Sequence, residues 1–402
     1  MYRPLDILMV APQPFFRARG TPVSVLHRTR ALQSLGHRVD LLTYPFGDPI
    51  DLNGAEVHRS ACPPFVKDAP VGPSISKIFL DIPLFREAYT RAAAGAYDLI
   101  HTHEEAGVLG ALASRNLGIP HLHDMHSSLP QQFSNFERFE WGMVVGAFSR
   151  LEQFTLRHAA GVITVYSELR DHVRAVGYRG PLVVIENTQD FDRPPADPGA
   201  EEELRRELGL DGKFTVVYTG TLEPYQGMEL LMDAGPELRA AAPDLRIVAV
   251  GGTAAQIAAL RARADGNGNG DLFTFTGPVP PQEVFRYHQV ADALITCRIH
   301  GTNTPLKIYQ YLGSGRPIIA TRIDSHTQVL NDEVAELVDP TPRGIAGGIR
   351  RLRSDRDRGR QLAEAASELR RNRYSQEAYV ETLGAFMEDL TRTLPYQRRA
   401  AG

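Results

Sequence analysis

Short apolar, β-branched runs alternate along nearly the whole chain with longer segments whose apolar positions recur at helical spacing, the pattern of parallel βαβ units. In the first half it predicts strands at Asp6–Pro12, Arg38–Tyr44, Glu56–Ala61, Asp98–His103, Pro120–His126, Gly161–Ser167 and Leu182–Glu186. The first unit is the clearest: a strand, the loop Pro12–Thr21, then a helix carrying Val25, Leu26, Ala31, Leu32 and Leu35 that stops at Gly36. A Pro, Asp and Gly cluster at Asp190–Gly199 has no periodicity and reads as a linker. A second series then predicts strands at Phe214–Thr219, Leu245–Val250, Leu272–Thr276, Ala293–Thr296, Pro317–Ala320 and Val334–Val338. The fold class is therefore α/β: two Rossmann-like, doubly wound parallel-sheet domains, residues 1–190 and 191–374, followed by an Arg-rich helical end.

Length agrees, since 402 residues exceed one domain of about 100–200. Composition adds exclusions. Hydrophobic residues at 43% and charged residues at 23% argue against disorder and coiled coil. A net charge of −4 gives no electrostatic reason to expect nucleic acid as a partner. Cys62 and Cys297 lie far apart without zinc-finger spacing, which argues against a disulfide scaffold or structural zinc. No apolar run approaches the roughly 20 residues of a membrane span, so a cytoplasmic protein is expected.

Open parallel sheets bind ligands beyond the carboxyl ends of their strands. The loop after the first strand puts Arg17, Arg19 and Gly20 at a helix N-terminus, where free amides favour an anion. In GTNTPLKIYQYLGSGRP, Thr304 followed by Pro305 predicts a helix N-cap and first position, so Lys307 falls in the first turn, where a cation opposes the helix dipole unless an anion is near. Arg298, just past a strand, enters the same region as a phosphate clamp; the bland alternative makes both surface cations. Gln310 follows three residues after Lys307, on the same helical face.

The stretch PHLHDMHSS places His121, His123, Asp124 and His126 at a strand end, beside His101, His103 and Glu104 of the neighbouring strand. Its order resembles the HxHxDH of metallo-β-lactamase-like hydrolases with Asp124 one place early. Alternation, however, sends His121 and His123 to one face and Asp124 and His126 to the other, so no metal is expected. His126 is the candidate hydrogen-bonding or acid/base group; His121 and His123 read as core histidines. Arg19 and Asp124 are the acceptor-binding candidates. Asp190/Asp192 and Asp355/Asp357 read as solvated turns and caps, and the helical pattern Phe133–His158, with Phe136, Phe139 and Trp141, reads as core.

As a set, ILMVAPQPFFRARGTPVSVLHRTRAL, YDLIHTH, DMHSSLP, VIEN, VVYTGTLEPYQGMELLMDA, FTGPVP and TPLKIYQYLGSGRPIIAT resemble the retaining glycosyltransferases of family 4 (group 1). The resemblance implies the GT-B architecture, with two domains facing a cleft and a last helix, within residues 375–402, crossing back to the first. It implies a nucleotide-sugar donor on the C-terminal domain, a glycan, lipid-linked or small-molecule acceptor on the N-terminal one, and no cofactor or metal. Polysaccharide or glycolipid synthesis, with peripheral attachment at the inner face of the membrane, fits such acceptors. By the same resemblance Gly20 lets the backbone approach the donor phosphate, His126 holds the transferred sugar, and amides of Thr304 and Leu306 meet the diphosphate. The family's Glu-x7-Glu pair falls on Thr302 and Gln310, and its basic pair on Thr221 and Gln226, all neutral here. Arg298 and Lys307 are then the cations available for the diphosphate. The rival readings are a catalytically silent nucleotide-sugar-binding or partner protein, and a nucleotide-sugar epimerase.

Overall fold

A computed structural model describes residues 3–17, 20–52, 54–69, 74–95, 97–128, 142–186, 197–301 and 303–394. Two units separate: Met1–Asn187 together with Gln376–Gly402, and Thr188–Ser375. In the first, strands β1 (Asp6–Ala11), β2 (Arg38–Thr43), β3 (Glu56–Arg59), β4 (Leu99–His103), β5 (His121–Met125), β6 (Gly161–Thr164) and β7 (Leu182–Val184) pair in the order β3-β2-β1-β4-β5-β6-β7. Every pairing is parallel, with Ile7 opposite Leu99 and His103 opposite Asp124. Ile7, Leu8, Met9 and Val10 are all fully buried, because helices cover both faces of the sheet. Val25 and Leu32 of helix Thr21–Ser34, with Leu383 and Met387 of helix Gln376–Thr393, pack on one face; Leu80, Leu84 and Ala88 of helix Ile75–Ala93 pack on the other.

In the second unit β8 (Phe214–Thr219), β9 (Leu245–Val250), β10 (Phe273–Gly277), β11 (Ala293–Thr296), β12 (Ile318–Thr321) and β13 (Glu336–Val338) pair in the order β10-β9-β8-β11-β12-β13, again all parallel. Ile308 and Leu312 of helix Lys307–Leu312 join Val217 and Leu294 on one face, and Leu231 and Ile345 join Val216 and Ile295 on the other. Strand order reverses at β1/β4 and at β8/β11, and loops leaving the sheet in opposite directions open a crevice at such points.

Two expectations change. The strand ending at Ser167 stops at Thr164: Val165 and Tyr166 stay buried, but the chain has left the ladder. The end of the linker cluster is a helix start, with Asp197 accepting from the amides of Gly199 (3.0 Å) and Ala200 (3.2 Å) to cap Pro198–Glu207; residues 190–196 lie outside the described residues. The helical pattern from Phe133 is described as Gly142–Arg157, with Phe136, Phe139 and Trp141 outside the described residues. Asp355 caps helix Arg356–Arg373 by accepting from the Arg358 amide (2.9 Å), while Asp190 and Asp192 are not among the described residues. No described helix is long and apolar enough to cross a membrane.

Candidate functional site

At the β8/β11 reversal, the chain after β8 runs through Gly220 and Thr221 to a 3₁₀ turn at Pro224–Gln226. Gly227 follows at φ +71°, and a Cβ there would stand 1.9 Å from the Cys297 carbonyl oxygen, so only glycine permits this approach. The Ile299 amide donates to the Tyr225 carbonyl at 3.0 Å. These contacts bind the turn to the segment leaving β11, where the Cys297 thiol donates to the Gln226 carbonyl at 3.4 Å. Helix Lys307–Leu312 supplies the third element.

Three polar side chains are buried together there: Gln226 at 7%, Arg298 at 8% and Lys307 at 9% exposure. Both cations were open to a surface reading from sequence; both are interior. The Lys307 ammonium sits 3.8 Å from the centroid of the Tyr218 ring and donates to Gln226 Oε1 at 3.3 Å. The Arg298 guanidinium lies 5.2 Å from the Tyr225 ring and donates to the Asn303 carbonyl (2.8 Å) and Oδ1 (3.3 Å), leaving Nε without a partner. Among the described residues neither cation forms an ion pair. Burial, with Arg298 adding to it, pushes Lys307 down to about 7, and burial also lowers Arg298. Aromatic faces and amide oxygens hold a cation without cancelling its charge, at about 0.5–2 kcal/mol per cation–π contact. A buried charge without a counter-ion is costly, and a bound anion removes that cost.

The predicted N-cap is displaced. Thr304 donates to Gln328 Oε1 at 3.2 Å instead of capping, and the helix begins at Lys307 with Leu306 before it. Thr221 is exposed and its carbonyl accepts from the Tyr218 hydroxyl (2.6 Å), while Leu306 and Gln310 are half-buried. Thr302 lies outside the described residues.

At the β1/β4 reversal, alternation separates the histidines. His121 and His123 share one face, where the Thr102 hydroxyl lies 2.7 Å from His121 Nε2 and 3.3 Å from His123 Nδ1. Asp124 faces the other way, with His101 and His103 of β4. Arg28 reaches Asp124 from helix Thr21–Ser34, its Nε 2.8 Å from Oδ2, and both side chains are 1% exposed. His126, beyond the strand, brings Nε2 to 3.2 Å from His103 Nδ1 and 3.5 Å from Asp124 Oδ1. Burial alone would raise the Asp124 carboxyl, but Arg28 and the surrounding histidines hold it well below the usual carboxylate range. Asp124 is therefore committed inward to Arg28, 1% exposed, with its Oδ1 turned toward His126. Ligand atoms of His101, His103 and Asp124 lie within 4.8 Å of one another, within reach of one metal ion. A divalent ion on that carboxylate would sit against the buried Arg28 guanidinium, so the group is better described as an ion pair walled by imidazoles.

Gly20 stands at φ +50° before helix Thr21–Ser34, and the Thr21 hydroxyl donates to Glu104 Oε1 at 2.8 Å. Arg17 pairs with Asp68 at 2.8 Å; Arg19 lies outside the described residues. Sequence reasoning missed Arg28, Tyr218 and Tyr225. Arg28 carried a signal, because it falls on the buried stripe of Val25, Thr29 and Leu32.

Burial keeps His101, His103, His121 and His123 below the ordinary histidine range, His123 at about 4, and does the same for His27 and His37, each at about 4. They are neutral when folded and accept protons near pH 6.5 when unfolded. The histidines' contribution to stability is thus complete above 6.5 and falls as pH drops toward 4, by up to about 1.4 kcal/mol per pH unit for each histidine. The melting temperature of the first unit is expected to drop about 2–4 °C for each kcal/mol lost. Melts followed by circular dichroism from pH 8 to 4 check this, and a flat profile between 6.5 and 5 would refute it.

The chain matches two family descriptions: "Glycosyl transferase 4-like domain" over residues 19–188 and "Glycosyl transferases group 1" over residues 213–355. It is 29% identical over 297 residues to a D-inositol 3-phosphate glycosyltransferase of Acidothermus cellulolyticus, covering 67% of this chain and 63% of that protein. It is 28% identical over 211 residues to a GDP-mannose-dependent alpha-(1-6)-phosphatidylinositol monomannoside mannosyltransferase of Mycolicibacterium smegmatis, covering 50% of this chain and 54% of that protein. The chain thus spans less than two thirds of the length of either relative. Among solved structures, Anabaena HepE in complex with UDP aligns with a TM-score of 0.76 at 18% identity, covering 95% of this chain and 99% of that one. That likeness concerns the fold, two Rossmann-like parallel-sheet domains.

Proposed function

The chain belongs to the group 1 glycosyltransferases, and from that membership we propose that it moves a sugar from a nucleoside diphosphate sugar to an acceptor hydroxyl with retention of anomeric configuration. The observation that carries this reading is the pair of buried cations at the β8/β11 reversal, neither of which has a counter-ion among the described residues. A leaving diphosphate gains negative charge as the glycosidic bond breaks, and preorganised cations in a water-poor site stabilise that charge. Lys307 and Arg298 serve as those cations, with the amides of Thr304 and Leu306 beside them, and the reaction then requires no metal. The neutral residues at Thr221 and Gln226 do not leave the turn uncharged, because Lys307 projects onto Gln226. That weakens the catalytically silent alternative.

In the proposed step an oxygen of the departing diphosphate takes the acceptor proton on the face from which it leaves. The acceptor oxygen bonds to the anomeric carbon on that same face, which preserves its configuration. Assignment of His126 to the transferred sugar, and of Gly20 to close backbone approach, follows from the family resemblance. The two curated relatives are named for inositol-phosphate and phosphatidylinositol-mannoside chemistry, which supports a polyol hydroxyl as acceptor.

Thermal melts with UDP-, GDP- and dTDP-sugars test the reading, since a ligand at 100 times its Kd stabilises by about 2.7 kcal/mol. A shift with one donor, followed by transfer to an inositol-type or glycan acceptor, is the expected result; no shift with any of them would overturn it. A pH effect follows from Lys307 as well. With its pKa at about 7 the free enzyme's lysine loses its proton as pH rises through 7, whereas a bound diphosphate keeps it charged. Nucleotide affinity is expected to fall above pH 7 by up to about tenfold per unit, with proton uptake on binding. Calorimetry in buffers of different ionisation enthalpy measures both quantities, and pH-independent affinity from 6.5 to 8.5 would contradict this account.

A further inference from the structure

Gln226 and Lys307 lie 81 residues apart, come from different elements, and meet at 3.3 Å in a buried environment. The ammonium also rests close against the Gly220 backbone, where an added Cβ would stand 2.9 Å from Nζ. One charge therefore sits where two side chains reach, one from the turn after β8 and one from helix Lys307–Leu312. We infer that Gln226 is a positioning residue that aims the Lys307 ammonium at the donor diphosphate, and that the charge itself, rather than the residue number carrying it, is what the site requires. This inference rests on the proposed function and narrows it to a pair of positions.

The chemistry of the amide explains its use. Gln226 Oε1 accepts from the ammonium and fixes its place, but a neutral oxygen cancels none of its charge. A carboxylate there would hold the ammonium more tightly and neutralise it, so the diphosphate would compete with a built-in anion. Tyr218 follows the same rule, offering a ring face 3.8 Å from Nζ in place of an acidic group. The other groups facing Lys307 fit as well: Cys297 is a buried thiol pushed up to about 12 and so neutral, and Arg298 is cationic.

Two designs separate positioning from packing. Gln226→Glu is nearly isosteric and should fold with an unchanged or raised melting temperature, yet lose nucleotide affinity by 30-fold or more, roughly what loss of a charge-assisted contact predicts. Lys307→Gln should lose affinity and turnover by about 100-fold or more, and the reciprocal exchange Gln226→Lys with Lys307→Gln should restore both to within about tenfold of wild type. The probes are UDP, GDP, dTDP and ADP by calorimetry, with circular dichroism to confirm folding. Folded Q226E that binds as tightly as wild type, or a folded exchange variant no better than K307Q, overturns the inference while leaving the proposed function standing. A wild-type chain that binds none of the four nucleotides overturns both.

Discussion

Lys307→Met is expected to lower turnover by about 10²–10³-fold, the range seen when one preorganised stabiliser of developing negative charge is removed. Methionine replaces the four-atom apolar stem of the lysine and drops only the terminal nitrogen, so the substitution isolates the ammonium from the packing of the stem. Stability should move in the opposite direction. Among the described residues this cation meets a ring face and an amide oxygen and no acidic group, and exchanging such a buried charge for a thioether removes a desolvation cost. Steady-state kinetics together with a thermal melt give both signs in one variant. Undiminished turnover would remove Lys307 from the reaction, and a fall in melting temperature would show that the ammonium is structurally satisfied.

Asp124→Asn is expected to destabilise the first unit by about 3–5 kcal/mol, because it leaves the Arg28 guanidinium, 1% exposed, without its counter-charge. Burial by itself lowers Arg28, and the Asp124 carboxylate reverses that effect; helix Gln376–Thr393 covers the pair, with Arg28 5.1 Å from the Tyr379 ring. The double substitution Arg28→Met with Asp124→Leu should cost much less, since removing both charges leaves neither stranded. Urea unfolding with an unchanged m-value measures the difference. A loss below about 1 kcal/mol in D124N would mean that water or another group already satisfies the arginine.

Strand positions were legible where an apolar run and a ladder end together, as at Phe214–Thr219, Leu245–Val250 and Ala293–Thr296. They were overextended where burial continues after pairing stops, as at Val165 and Tyr166, because periodicity reports burial and carries no record of hydrogen-bond partners. Thr304-Pro305 carried a local capping signal that a tertiary contact with Gln328 overrode. The helix-start pattern singles out Lys307, but its burial against Tyr218 depends on a contact across 89 positions that no local pattern encodes. The Arg28–Asp124 pair was hidden for the same reason, with its partners 96 residues apart.

The two sheets repeat one strand order about their reversal points and settle their charges in opposite ways. The first closes on itself: arginine meets aspartate, and neutral imidazoles wall the pair. Among its described residues the second keeps two buried cations, Arg298 and Lys307, without an acidic partner. One blueprint used twice thus divides the molecule's sensitivities: acidity acts chiefly through the buried histidines of the first half, and, under the proposed function, nucleotide acts on the second.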